Sequence, residues 1–207
     1  MTARIGVVAD THCPEFLARL PDRLFEVLRD VDCIIHAGDV NGRQTLDALA
    51  AVAPVEAVRG DHDSDLSDLP LSRELTVEGR RIVIVHGNRS RWREEPETLM
   101  WTLSLGAHRP HGDLPRALRR RFPEAAAIVF GHTHRPHVET VDGAVVFNPG
   151  GVHQWNPRTV ALRLAQKPGW FEWSWLQVAR HLRDYSAPSV GILEVSRTAI
   201  VPTVIDL

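Results

Sequence analysis

Residues 4–12 read Arg4-Ile5-Gly6-Val7-Val8-Ala9-Asp10-Thr11-His12: a short β-rich apolar run that stops abruptly at Asp-x-His. Side chains two apart on a strand point the same way, so at a strand end Asp10 and His12 can both reach one ion. The same grammar recurs downstream. Cys33–His36 is apolar and stops at Gly38-Asp39; Val55–Arg59 stops at Gly60-Asp61; Arg81–Val85 stops at His86-Gly87; Ala127–Phe130 stops at Gly131-His132-Thr133-His134. Between the first three runs, Phe16–Leu28 carries apolar residues at helical spacing, and Gln44–Val52 also reads as helix. Strand, helix, strand, helix, strand is the pattern of parallel βαβ units, whose ligands bind beyond the carboxyl ends of the strands. The five strand ends are therefore expected to gather their Asp and His residues along one edge of one sheet.

The rest of the chain reads less regularly. Glu78-Gly79-Arg80 and Val141-Asp142-Gly143 are hairpin signals, and Leu114–Phe122 is a basic helix. Residues 88–112 are rich in Trp, Arg and Pro and suggest an insertion over the site. In a second insertion, 156–187, Thr159–Ala165 and Trp170–Leu176 alternate around Lys167-Pro168-Gly169 and suggest a hairpin, followed by a helix over Val178–Tyr185. Val190–Val195 and Ile200–Ile205 read as closing strands.

Bulk composition limits the function. The chain's 207 residues suit a single domain over 1–207, and 43% hydrophobic content is enough for a core. A net charge of −2 gives no general attraction for nucleic acid or anionic membrane, and no basic track is visible. No apolar run approaches the ~20 residues of a transmembrane helix. Two cysteines, Cys13 and Cys33, give no disulfide framework. A soluble cytoplasmic protein is expected. The 11 histidines stand against one tyrosine, and several sit beside Asp or Gly at strand ends.

Asp10, His12, Asp39, Asp61, His86, His132 and His134 make three carboxylates and four imidazoles. Mixed nitrogen and oxygen donors suit Mn, Fe or Zn better than Ca or Mg. Seven ligands exceed one tetrahedral ion; with one shared carboxylate they divide between two ions about 3.5–4 Å apart. Such a pair supplies hydroxide at neutral pH and clamps phosphate oxygens. The bland alternative is that the three aspartates cap helices after strands; the histidines in register argue against it.

Asp-x-His, Gly-Asp, Gly-Asp-His-Asp, His-Gly and Gly-His-Thr-His, in that order, resemble the calcineurin-like metallophosphoesterase family. The length and Asn148-Pro149-Gly150 look like its small bacterial and archaeal phosphodiesterase branch. The resemblance covers roughly residues 4–152. It implies an α/β (α+β) fold: a β-sandwich of mixed sheets flanked by helices, here with an extended C-terminal tail. One metal would take Asp10, His12, Asp39 and His134, and the other Asp39, Asp61, His86 and His132, with Asp39 bridging. His62 would protonate the leaving group or steady the phosphate, and Asp63 would orient it or stand as a loop charge. His36 reads as a support to the ligands. Two divalent ions are implied, Mn first, with Fe, Zn, Ni or an Fe3+/M2+ pair open.

The family usually has Asn where this chain has Asp61; the added negative charge is expected to tighten metal binding and to disfavour dianionic monoesters more than singly charged diesters. Cys13 and Asn88 also depart from the common pattern; Cys13 reads as a spectator thiol. The expected activity is hydrolysis of small phosphate esters, diester before monoester. The alternative is a non-catalytic scaffold of the same fold that docks partner proteins. Arg89, Arg91 and Arg93 read as a solvated face, and His108, His111, His137, His153 and His181 as surface or packing residues. Trp155, Trp170, Trp173 and Trp175 read as core, with a lid or a homo-oligomer face as the alternative.

Overall fold

The computed structural model describes residues 1–89, 91–104, 112–181 and 185–207, except for the side chains of 91–95. His108, His111 and the side chains of Arg91 and Arg93 lie outside the described residues. In chain order the elements are β1 (Thr2–Val8), α1 (Asp22–Val27), β2 (Cys33–His36), α2 (Arg43–Ala50), β3 (Val55–Ala57), β4 (Ser72–Val77), β5 (Arg80–Val85) and α3 (Arg91–Leu103). They continue as α4 (Leu114–Arg121), β6 (Ala127–Val129), β7 (Pro136–Val141), β8 (Ala144–Pro149), α5 (Pro157–Ala165), α6 (Trp170–Ala179), β9 (Ser189–Ser196) and β10 (Ile200–Asp206). The chain separates into two compact units. Met1–Asn88, Leu114–His153 and Ala187–Leu207 form the first, Arg89–Asp113 and Gln154–Ser186 the second.

The first unit is a sandwich of two mixed sheets, ordered β10-β9-β1-β2-β3 and β4-β5-β6-β8-β7. The expectation of one sheet is therefore corrected. β1, β2 and β3 are parallel in one sheet, β5, β6 and β8 are parallel in the other, and antiparallel strands close the edges. Burial with period two explains the layering. Ile5, Val7, Ile35, Ile82, Ile84, Val129, Phe147 and Leu193 meet between the sheets. Val8 and Ile34 turn outward under Leu24 and Leu28, while Val83 and Ile128 turn outward under Leu114 and Leu118 of α4. Each buried side chain of this kind contributes roughly 1.5–3 kcal/mol. A strand buried on both faces reads as a continuous apolar run, which is how β1 and β5 were recognisable.

Both hairpin signals form turns with two positive φ angles, Glu78 (50°) with Gly79 (76°) and Asp142 (47°) with Gly143 (78°), the geometry that matches strand twist. The helix expected over Phe16–Leu28 is shorter. It begins at Asp22 because Pro21, extended at ψ 141°, has no N–H for a preceding helical turn and pushes Leu20 out of the helical region.

In the second unit the expected hairpin over 159–176 is two helices, α5 and α6. The Asn156 side chain accepts from the Arg158 and Thr159 amides, and Thr159 Oγ1 accepts in turn from the Asn156 N–H, so a capping box starts α5. The helix expected over Val178–Tyr185 is the end of α6, which stops at Ala179; residues 182–184 lie outside the described residues. Val160, Leu176 and Ala179 pack with Trp101, Trp155 and Trp175, and the Trp155 and Trp175 rings meet edge to face at 5.4 Å. Trp170 and Trp173 do not join this core and are 79% and 47% exposed. No helix among the described residues is long and apolar enough to cross a membrane.

Candidate metal centre

The site forms where strand ends of the two sheets meet. Asp10 N–H bonds Gly38 O and His12 N–H bonds Asp39 O, both at 3.0 Å, which ties the loop after β1 to the loop after β2. From the other sheet, His132 N–H donates to Asp10 Oδ1 at 3.0 Å and Gly131 N–H donates to His86 O at 3.0 Å. Asn148, fully buried on β8, donates to Gly131 O at 2.7 Å and Thr133 Oγ1 at 3.1 Å, and so holds the Gly-His-Thr-His turn. Asp10, His12, Asp39, His132 and His134 all have φ between 44° and 70°. Left-handed backbone at non-glycine residues costs energy, and its concentration here marks loops shaped to aim side chains.

The seven predicted side chains fall into overlapping groups whose donor atoms lie within 4.8 Å of one another. These are Asp10, His12 and His134; Asp61, His86 and His132; and Asp10, Asp39 and His86. Asp39 Oδ2 lies 3.4 Å from His12 Nε2 and 3.4 Å from His86 Nε2, between the first two groups. His86 Nδ1 faces Ala37 O at 2.8 Å, and His134 Nδ1 faces His153 O at 2.9 Å. A ring nitrogen facing a carbonyl carries the proton, so each Nε2 presents a lone pair.

The donor set fits a cation. The Nε2 lone pair of His86 points at two carboxylates, with Asp61 Oδ1 at 2.7 Å. Buried Asp10 Oδ2 has no hydrogen-bond partner among the described residues. Acceptors facing acceptors in a buried place call for a positive charge between them. Without metal a proton takes that role. Burial opposes a charged His86 ring, but Asp39 and Asp61 outweigh burial and hold it protonated well above its ordinary range. Burial of Asp39 and partial desolvation of Asp61 push both up, yet His86 (with His132 at Asp61) draws both well below the usual carboxylate range. Asp10 is fully buried, and that burial raises it despite His134 and His86. His12 is pulled down to about 2, by burial first and then by His134. A ring that resists protonation stays available as a ligand.

Other predicted residues find different places. His36 is fully buried with Nε2 3.1 Å from Thr11 Oγ1, behind the ligands. His62 lies beside the cluster, 44% exposed, its ring edge-on to His12 at 4.9 Å. Asp63 is not a free loop charge. It is buried, and its two oxygens accept the Asn41 N–H at 2.7 Å and the Gly60 N–H at 2.8 Å. His153, read as surface or packing, is buried among the rings of His12, His134 and Phe16. Cys13 is buried beside Leu20 and Leu24. His137 faces Glu139 at 3.1 Å, and His181 is exposed. Sequence reasoning missed Glu15 and Asn41, which border a cleft of about 390 Å3 together with Asp61 and His62. Their only signal was position: three residues after His12 and two after Asp39.

The chain is 31% identical over 147 residues to a probable metallophosphoesterase of Methanothermobacter thermautotrophicus, covering 70% of this chain and 75% of that one. Among solved structures, vacuolar protein sorting 29 of Cryptosporidium parvum shares the fold at a TM-score of 0.67 and 19% identity, over 100% of this chain and 92% of that one. A novel archaeal phosphodiesterase shares it at 0.55 and 17%, over 98% and 99%. The model of the calcineurin-like phosphoesterase superfamily domain matches residues 3–166, which include every side chain of the candidate centre, and the chain belongs to that superfamily.

Proposed function

We propose that the chain hydrolyses small phosphodiesters with two divalent ions, manganese first among them, held at the centre described above. The observation that carries this reading is the position of Asp39 Oδ2, 3.4 Å from a ring nitrogen of each group. One ion would be held by Asp10, His12, Asp39 and His134, the other by Asp39, Asp61, His86 and His132. When bound, such a pair supplies a hydroxide nucleophile and neutralises phosphate charge.

The chain's own residues do the rest. Asp39 Oδ1 accepts the His62 N–H at 3.0 Å, which fixes the proton donor's backbone to the centre. His62 opens onto the 390 Å3 cleft, where the departing alcohol would take its proton. Ionised Asp61 adds a negative charge beside the phosphate, which disfavours dianionic monoesters more than diesters.

The exposed Trp170 and Trp173 favour a second reading, a scaffold that docks a partner protein. One experiment separates the two. Metal content is measured by mass spectrometry, and bis(4-nitrophenyl) phosphate and 4-nitrophenyl phosphate are assayed with added Mn2+. Two bound ions and faster diester turnover are expected. Protein that binds no metal and stays inert with every ion tried would favour the scaffold.

A further inference from the structure

We propose that Glu15 is the positioning residue for His62, holding its Nδ1 so that Nε2 faces the departing oxygen; this rests on the phosphodiesterase reading above. The loop after β1 brings Glu15 Oε2 to 3.5 Å from His62 Nδ1. Asn41 clamps the pair: its side-chain amide donates to the Glu15 carboxylate and, at 3.4 Å, to the His62 carbonyl oxygen. Asn41 is fixed in turn, because its own N–H donates to buried Asp63 at 2.7 Å, and the other Asp63 oxygen takes the Gly60 N–H at 2.8 Å. Asp63 thus acts on His62 two steps away, through Asn41 and Glu15. Phe16 and His12 flank the ring at 6.0 and 4.9 Å and limit its rotation.

A nitrogen facing a carboxylate keeps its proton, which leaves the other nitrogen to serve the substrate. Glu15 and His62 are 34% and 44% exposed, so their contact contributes little to folding. Its consequence is orientation. In the step it serves, the water oxygen bonds to phosphorus, the bond from phosphorus to the leaving oxygen breaks, and that oxygen takes the proton from His62 Nε2. The attacking water's proton passes to solvent, from which His62 is reloaded.

The test uses the full chain loaded with Mn2+ and a series of methyl aryl phosphates whose leaving phenols run from acidic to weakly acidic. Glu15→Ala is expected to lower kcat about 10- to 100-fold on the least acidic phenol and under about threefold on 4-nitrophenol. KM and metal content should not change. Glu15→Gln, whose carbonyl oxygen can also face Nδ1, should restore most of the rate. The double variant with His62→Ala should be no slower than His62→Ala alone. A second readout needs no turnover: two-bond 1H–15N spectra of the zinc-loaded protein with neutral His62 should show Nδ1–H, moving towards Nε2–H in Glu15→Ala. Equal losses across the phenols, additive losses in the double variant, or an Nε2–H ring in the parent each overturn the proposal. A parent inert on every ester overturns the phosphodiesterase reading alone, and the ring tautomer then decides the Glu15 contact.

Discussion

Asp39 performs two tasks with one side chain: Oδ1 takes the His62 N–H, and Oδ2 faces His12 and His86. Deleting it removes the shared donor of both proposed sites and leaves His86 short of its counter-charge. Asp39→Ala is therefore expected to lose both ions and nearly all turnover, and one ion retained at full occupancy would contradict a bridge. Asp61 makes a different prediction, one about charge. On the proposed reading, two divalent ions would bring four positive charges; Asp10, Asp39 and a hydroxide would remove three, and Asp61 the fourth. His132 and His86 keep Asp61 ionised despite its partial desolvation, so that last charge is present at neutral pH. In Asp61→Asn the site regains one positive charge. The ratio of monoester to diester kcat/KM should rise on the order of tenfold, equivalent to roughly 1.4 kcal/mol of added attraction for the second phosphate charge. A ratio that stays level would show that charge is not what sets the preference.

At the scale of elements, the strand-end loops succeed only where glycine lets them approach. A Cβ on Gly60 would sit 2.1 Å from Asp39 Oδ1 and 2.4 Å from the Asp39 backbone nitrogen, closer than non-bonded atoms approach. Gly60→Ala should therefore push the loop after β3 off Asp39. Metal affinity is expected to fall about 10- to 100-fold while most of the sandwich stays folded, a split that calorimetry with Mn2+ and a thermal melt would separate. Gly60-Asp61 was conspicuous in the sequence because glycine before a ligand, repeated at Gly38-Asp39 and Gly131-His132, is a pattern along the chain. Glu15 and Asn41 were not, because what matters about them is a contact between loops of different strands. The apolar runs of β1, β2, β5 and β6 were legible for the same reason that they are buried on both faces. Which sheet each joined was not, since a parallel run reads alike in either. The α5–α6 region misled because Lys167-Pro168-Gly169 is a turn signal between any two elements. The Asn156 cap was the better guide.

Over the whole molecule, the site's location at the meeting of two sheets ties its protonation to the stability of the fold. His36 sits at the end of β2 with no exposure, and burial, reinforced by His86, pulls it down to about 3 against the opposing charge of Asp39. The folded chain therefore keeps this ring neutral, while the unfolded chain protonates it below about 6.5. Its contribution is full above the unfolded value and is lost as pH falls towards 3, at up to about 1.4 kcal/mol per pH unit. His153, drawn down to about 3 by burial and then by His134, acts in the same direction and the same window. Bound metal adds to this, because its ligands must shed protons, so acid weakens binding and its linked stabilisation together. Urea unfolding of the metal-free protein between pH 6.5 and 4 should show stability falling with acid. His36→Gln, uncharged but able to keep a hydrogen bond to Thr11, should flatten that slope by up to one proton's worth. An unchanged slope would move the titration to other buried groups, whereas a flattened one would place an acid-sensitive lock for the whole sandwich directly behind the metal centre.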